Sequence, residues 1–371
     1  MALSNSVFGS VATPRVYVDY IQYAKAIGYV KGYELDSDQE GDPAACWDFN
    51  PVNMSSYRPS AGSQPISNKR FVVMFKNHPY IRNKQFALFM SGVNYYGLLG
   101  HSLTVDGVDK TRVTMAGYDS DGDWHGSSTD FSAAHQSEIV GDPNSVNDLG
   151  FTLYKINTRL SVSGTETDIL SSCQLRLYNN DQWQPDGLPI QIGSWTIGRY
   201  FDFPHNANLQ MNIKNSFEGI RSKRTIGGSE ITEITYTKPN WGNLPPWQHI
   251  DVTNYDDPAD YIVNEDYRSV ANKSRRSWDL TFSYLSKSDT FPKSPDGSLA
   301  GNYFESGAFD VETNLLSSFH ALTLGGQIPF IFQPDKTKKD FCMCKLKSNG
   351  ISVQQSAPQL YTCQLAFEEV W

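Results

Sequence analysis

The 371-residue chain carries a net charge of −9, and its basic residues form no cluster longer than Arg221–Arg224, with Arg275 and Arg276 following later. That excludes nucleic-acid binding as its main business, because neutralising phosphates needs a concentrated basic face. Hydrophobic content is low at 39%, but 13% aromatic residues supply the area for a sizeable core, and abundant Gly, Pro, Ser, Thr and Asn with only 19% charge mark an all-β protein of two domains.

In chain order, residues 13–19 alternate as a strand, and Tyr20–Ile27 continue as one or two helical turns stopped by Gly28. Residues 34–68 are polar and rich in Asp, Ser, Pro and Gly, and read as a long surface arm. Strands are expected at Phe71–Phe75, Phe86–Met90, Arg112–Gly117, Gly150–Asn157, Cys173–Tyr178 and Ile190–Tyr200. The turn signals between them suggest a β-sandwich or jelly roll. Composition changes near 200–204. Beyond it, alternation returns at Leu209–Ile213 and Trp278–Tyr284, with a second polar arm over 238–275. Val311, Leu315, Leu316, Phe319 and Leu322 fall at helical spacing, so a helix is expected over 311–323, capped by Thr313 or Asn314 and ended by Gly325 and Gly326. A proline-bounded strand follows at Ile328–Phe332, either at a sheet edge or starting at Pro329. Phe341–Leu346 and Leu360–Trp371 then form a closing antiparallel pair.

Candidate chemistry is sparse. The five cysteines are odd in number and widely spaced, so no disulfide framework is implied. Cys342, Cys344 and Cys363 are weak metal candidates without a fourth ligand; buried reduced thiols are the favoured reading. The DSDGDWH segment, residues 119–125, resembles part of a calcium loop but lacks its terminal bidentate carboxylate, and reads better as an acidic turn. His101, His125 and His135 lack zinc-site spacing. Tyr95, Tyr96, Trp124 and Trp183 offer sugar-stacking platforms, against core or subunit packing. Tyr95 and Tyr96 cannot share a strand face, so one is expected to point to solvent or a partner. No cofactor, enzyme motif, signal peptide or membrane span is expected.

Three stretches carry a resemblance. GVNYYGLLGHSL at 92–103 is similar to a segment of galactose-binding-like jelly rolls in tail proteins of tailed bacteriophages, and IGSWTIGRY at 192–200 with DFPH at 202–205 resembles that module's end. SWDLTFSYL at 277–285, GGQIPFIFQPD at 325–335 and EEVW at 368–371 resemble the end of phage minor tail proteins. The resemblance implies a jelly roll over 1–202 and a ring-forming, tail-tube-like sandwich with one short helix over 203–371. Leu315, Leu316, Phe319, Phe330, Phe332 and Trp371 would belong to the ring domain. It implies a distal-tail or upper-baseplate protein of the virion, assembled in the host cytoplasm. Its partners would be copies of itself, the tail tube, the baseplate hub and fibres. The domain order departs from the usual one, in which the ring domain leads. The alternatives are a carbohydrate-binding module using Tyr95, Tyr96 and Trp124 on host glycans, and a polysaccharide-degrading enzyme.

Overall fold

A computed structural model describes residues 13–35, 39–50, 53, 55–59, 69–76, 93–101, 111–118, 124–126, 136–140, 151–156, 169–177, 190–209, 212–216, 220–234, 275–291, 314–336, 341–348 and 350–370. The first element is β1 (Arg15–Asp19), whose Asp19 caps helix α1 (Tyr20–Ala26) by accepting a 2.7 Å hydrogen bond from Gln22 N. Strands β2 (Val30–Leu35), β3 (Gln39–Glu40), β4 (Ser55–Pro59), β5 (Lys69–Phe75), β6 (Tyr95–His101), β7 (Thr111–Tyr118) and β8 (Trp124–Gly126) follow. Next come β9 (Gln136–Val140), β10 (Phe151–Ile156), β11 (Ile169–Leu177) and the long β12 (Ile190–Asp202). The remainder contributes β13 (Asn212–Ser216), β14 (Ile220–Arg224), β15 (Glu230–Ile234), β16 (Arg275–Ser286), helix α2 (Lys287–Thr290), β17 (Phe330–Gln333), β18 (Cys342–Leu346), β19 (Ser352–Ala357) and β20 (Leu360–Glu369). The protein is all-β, with antiparallel ladders throughout the described residues.

Two sheets stack. The larger runs β13-β16-β20-β18-β17-β1-β12-β6-β10-β9, with β19 on β20 and β4 on β12; the smaller is β2-β5-β11-β7-β8. Trp195 and Ile197 of β12 share one buried cluster with Phe71 and Val73 of β5 and Leu175 of β11, so the two sheets meet face to face. Ring centroids of Phe71 and Trp195 lie 6.0 Å apart across that interface. The same cluster continues through Phe282, Phe330, Phe332 and Phe367, where Trp278 meets Phe332 at 5.2 Å and Phe332 meets Phe367 at 4.8 Å. Each such ring removed from water contributes on the order of 2–3 kcal/mol.

The division expected at 202/203 falls inside this architecture. β1 pairs with β12 through Arg15↔Asp202 to Asp19↔Gly198, and on its other edge with β17 through Arg15↔Gln333 to Tyr17↔Ile331. One five-residue strand thus carries the ladder from the first part of the chain to the last. Arg15 fastens the junction: it forms a two-point ion pair with Asp202, and its guanidinium carbon sits 4.2 Å from the centre of the Tyr200 ring. The Tyr17 hydroxyl donates to Gln333 Oε1 at 2.7 Å.

Three expectations need correction. The 34–68 segment is not a free arm where it is described: Cys46, Trp47 and Tyr57 are fully buried, Gln22 Nε2 donates to Trp47 O, and Phe49 N donates to Ser194 Oγ. Its polar composition hid a few large anchors. The helix expected over 311–323 is a π-helical segment, Leu315–His320, followed by turns through residue 327. Ala321 N reaches back five residues to Leu316 O and Gly325 N does the same to His320 O, while Ser318 N to Asn314 O and Thr323 N to Phe319 O keep the four-residue step, so wide π turns interrupt the α-helical pattern. Leu315, Phe319 and Leu322 are nevertheless buried, and Gly325 and Gly326 end the segment at φ 72° and 81°. Finally, the proline-bounded strand is no edge: β17 begins just after Pro329 and lies between β18 and β1. Phe86–Met90, Val311 and Thr313 lie outside the described residues, as does most of 238–275.

Candidate functional site

Of the sugar-stacking candidates, Tyr95 and Tyr96 form no exposed platform. Tyr95 and Tyr96 sit on opposite faces of β6, and both are fully buried, because that part of the sheet is covered on both sides. Tyr95 packs edge-on to Tyr17 at 5.1 Å and its hydroxyl lies 3.0 Å from Thr196 Oγ1, while Tyr96 stacks on Tyr154 at 5.3 Å. The expectation that one ring faces solvent is therefore overturned. Trp124 belongs to β8, paired with Tyr118, but its side chain lies outside the described residues, as do Trp183 and residues 119–123 of the acidic turn.

The three C-terminal thiols do not converge either. Cys342 and Cys344 share a face of β18 with sulfurs 3.4 Å apart, both fully buried. Burial pushes the Cys342 thiol well above its ordinary range, which disfavours the thiolate that metals bind. Cys363 lies on β20, but Cys344 is opposite Glu369, six positions further along that strand. At the usual strand rise this is about 20 Å. Cys363 faces Phe282 and Val353 instead. Among the described residues, no three His, Cys, Asp or Glu side chains group as a metal set. His101 is buried at the end of β6, and burial lowers its imidazole to about 4. His125 and His135 have no described side chains.

The residues assigned to a ring domain form this chain's own core. Leu315, Phe319, Phe330 and Phe332 are buried and Leu316 is half-buried; Phe319 meets Phe330 edge-on at 4.9 Å, and Trp371 lies outside the described residues. Leu315, Phe319, Phe330 and Phe332 shape the C-terminal part of the sheet from within, and Leu316 stays partly open to solvent.

What faces outward is the segment that carries the basic run. Arg221–Arg224 lies on β14, which among the described residues pairs only with β15, in register Ile220↔Ile234 to Arg224↔Glu230, forming a two-stranded ribbon. Its tip is closed by Thr225 N to Ser229 O at 2.8 Å and Gly228 N to Thr225 O at 2.9 Å. Every side chain from Ser222 to Thr232 is exposed, including Ile226 at the tip, wholly open to solvent, and Ile231 at 60%. A Gly-Gly turn between β-branched alternations was the missed signal. Among the described residues, no helix is long and apolar enough to cross a membrane. No family model, no curated protein and no solved structure matches the chain.

Proposed function

We propose that this protein is a structural assembly subunit without catalysis, a virion protein of a phage tail tip that forms a homo-oligomeric ring joining tail tube to baseplate or fibres. The observation that supports the assembly part is the β14–β15 ribbon, which among the described residues pairs with neither sheet and is exposed from Ser222 to Thr232. A two-stranded hairpin is marginal in water by itself, and the exposed Ile226 and Ile231 are features that a neighbouring subunit would cover. The tail-tip part of the reading rests on the resemblance of the segments at 92–103, 192–205, 277–285 and 325–335.

The test is the mass of the intact chain by size-exclusion chromatography with light scattering. An oligomer is expected, and the double variant Ile226→Asp, Ile231→Asp is expected to shift it to monomer while the folded signature by circular dichroism is kept. A wild-type monomer at about 100 μM, a concentration at which micromolar contacts are saturated, would count against self-assembly.

A further inference from the structure

An open groove of 480 Å³ lies on the outward face of the β13-β16-β20-β19 part of the large sheet. Strand register sets its lining in two rows. Asn212, Asp279 and Ala366 are directly opposite one another across β13, β16 and β20, and Thr281, Gln364 and Ser352 are opposite across β16, β20 and β19. The loop between β18 and β19 walls one side, anchored by Lys347 N to Ala366 O at 2.9 Å and Ser348 Oγ to Gly350 O at 2.8 Å. Small Ala366 makes the floor low, and amides and hydroxyls rise around it. Asp279 is oriented by Asn212 Nδ2 at 3.4 Å and faced by Lys347 Nζ at 3.9 Å.

We infer that this groove binds an uncharged polyol, of the class of a hexose or N-acetylhexosamine unit. The chemistry narrows the choice. Its size falls within the roughly 300–1,000 Å³ of small-molecule sites. A phosphate would need excess positive charge, and Lys347 already faces Asp279. A divalent cation needs several oxygen ligands, and Asp279 is the single carboxylate among the described residues of the lining. A nucleobase would stack on an aromatic floor, and the floor is Ala366 with the backbone of Leu280 and Leu365, whose side chains turn into the core. Added backbone from a partner strand finds the interior ladder of β16 and β20 already paired on both sides. What remains is a ligand read through side-chain donors and acceptors: the Asp279 carboxylate accepts from adjacent hydroxyls, while the Asn212 and Gln364 amides both donate and accept. The groove is separate from the β14–β15 ribbon and does not depend on self-assembly.

The experiment is saturation-transfer difference NMR on the intact protein with the methyl glycosides of glucose, galactose, mannose and N-acetylglucosamine. Each is used at about 10 mM, above the millimolar dissociation constant of a shallow hydrogen-bonding site. Transfer to at least one glycoside is expected. Asp279→Ala is expected to weaken binding about tenfold, the effect of one charge-assisted hydrogen bond, and Ala366→Leu, which fills the floor from the solvent side, is expected to abolish it. Circular dichroism confirms that both variants are folded. No transfer to any of the four glycosides, or transfer unchanged in Ala366→Leu, overturns the assignment.

Discussion

Asp19 and His101 are buried titratable side chains whose effects on stability oppose each other. Burial raises the Asp19 carboxyl to about 6, against hydrogen bonds from Gln22 N, Thr196 and Ile197 N that favour its charged form. Its folded pKa is above the unfolded value of about 3.9, so its contribution is fully present below that value and is lost as pH rises through 6. Burial lowers His101 to about 4, below the unfolded value of about 6.5. That contribution is present above 6.5 and lost as pH falls through 4. Each is on the order of 3 kcal/mol by linkage, so over pH 4 to 6 they largely cancel. Urea unfolding across this range therefore separates them: Asp19→Asn, which keeps the helix cap, will gain stability relative to wild type as pH rises, and His101→Gln will lose it. Parallel profiles for wild type and both variants would contradict the assignment. Residue order does not show this, because it places Asp19 at the end of a strand and His101 outside any zinc-site spacing without revealing that either is buried.

At the scale of elements, β12 and β1 depend on a close approach at Gly198. A Cβ there would lie 1.9 Å from Val18 O, a backbone atom that cannot rotate away. Gly198→Ala must therefore push β1 off β12, and the expected cost is about 3 kcal/mol or more, in the range of severe core disruption, with a visibly lower thermal midpoint. A shift under about 0.5 kcal/mol, the range of ordinary surface changes, would show that the strands are less tightly apposed. The strands with strong alternation were legible from residue order: β1 with its capped helix, β5, β12, β16, β18 and β20 all fall where apolar periodicity places them. Strands of mixed or polar sequence were not. β19 (SVQQSA) has an outward, exposed pattern, and the two residues of β3 are too few to show a period. The buried roles of Trp47 and Tyr57 escaped because polar neighbours diluted them, and the burial of both Tyr95 and Tyr96 followed from covering both sheet faces, which period-2 reasoning does not anticipate. The register that separates Cys363 from Cys344 is likewise invisible without the ladder.

For the whole molecule, the question is whether 1–202 and 203–371 are independent bodies, as the change in composition suggested, when β1 belongs to the ladder of both. A fragment of residues 203–371 keeps β16, β17, β18 and β20 but loses β1, which leaves the Phe330–Gln333 edge unpaired beside side chains that are all buried in the intact chain. It also leaves Gln333 without the Tyr17 hydroxyl. An open, apolar edge strand recruits other copies. The expected outcome is that 203–371 alone aggregates, is recovered soluble when co-expressed with 1–202, and that the intact chain unfolds in urea as one transition followed by tryptophan fluorescence. In the complementary fragment, 1–202, β1 remains on β12 and Arg15 keeps Asp202, but the edge of β1 that faces β17 is opened in turn, so the same exposure is expected there. If 203–371 were instead monodisperse and folded by itself, the ladder across β1 would be a dispensable contact and the chain would consist of two separately folding units joined at 202.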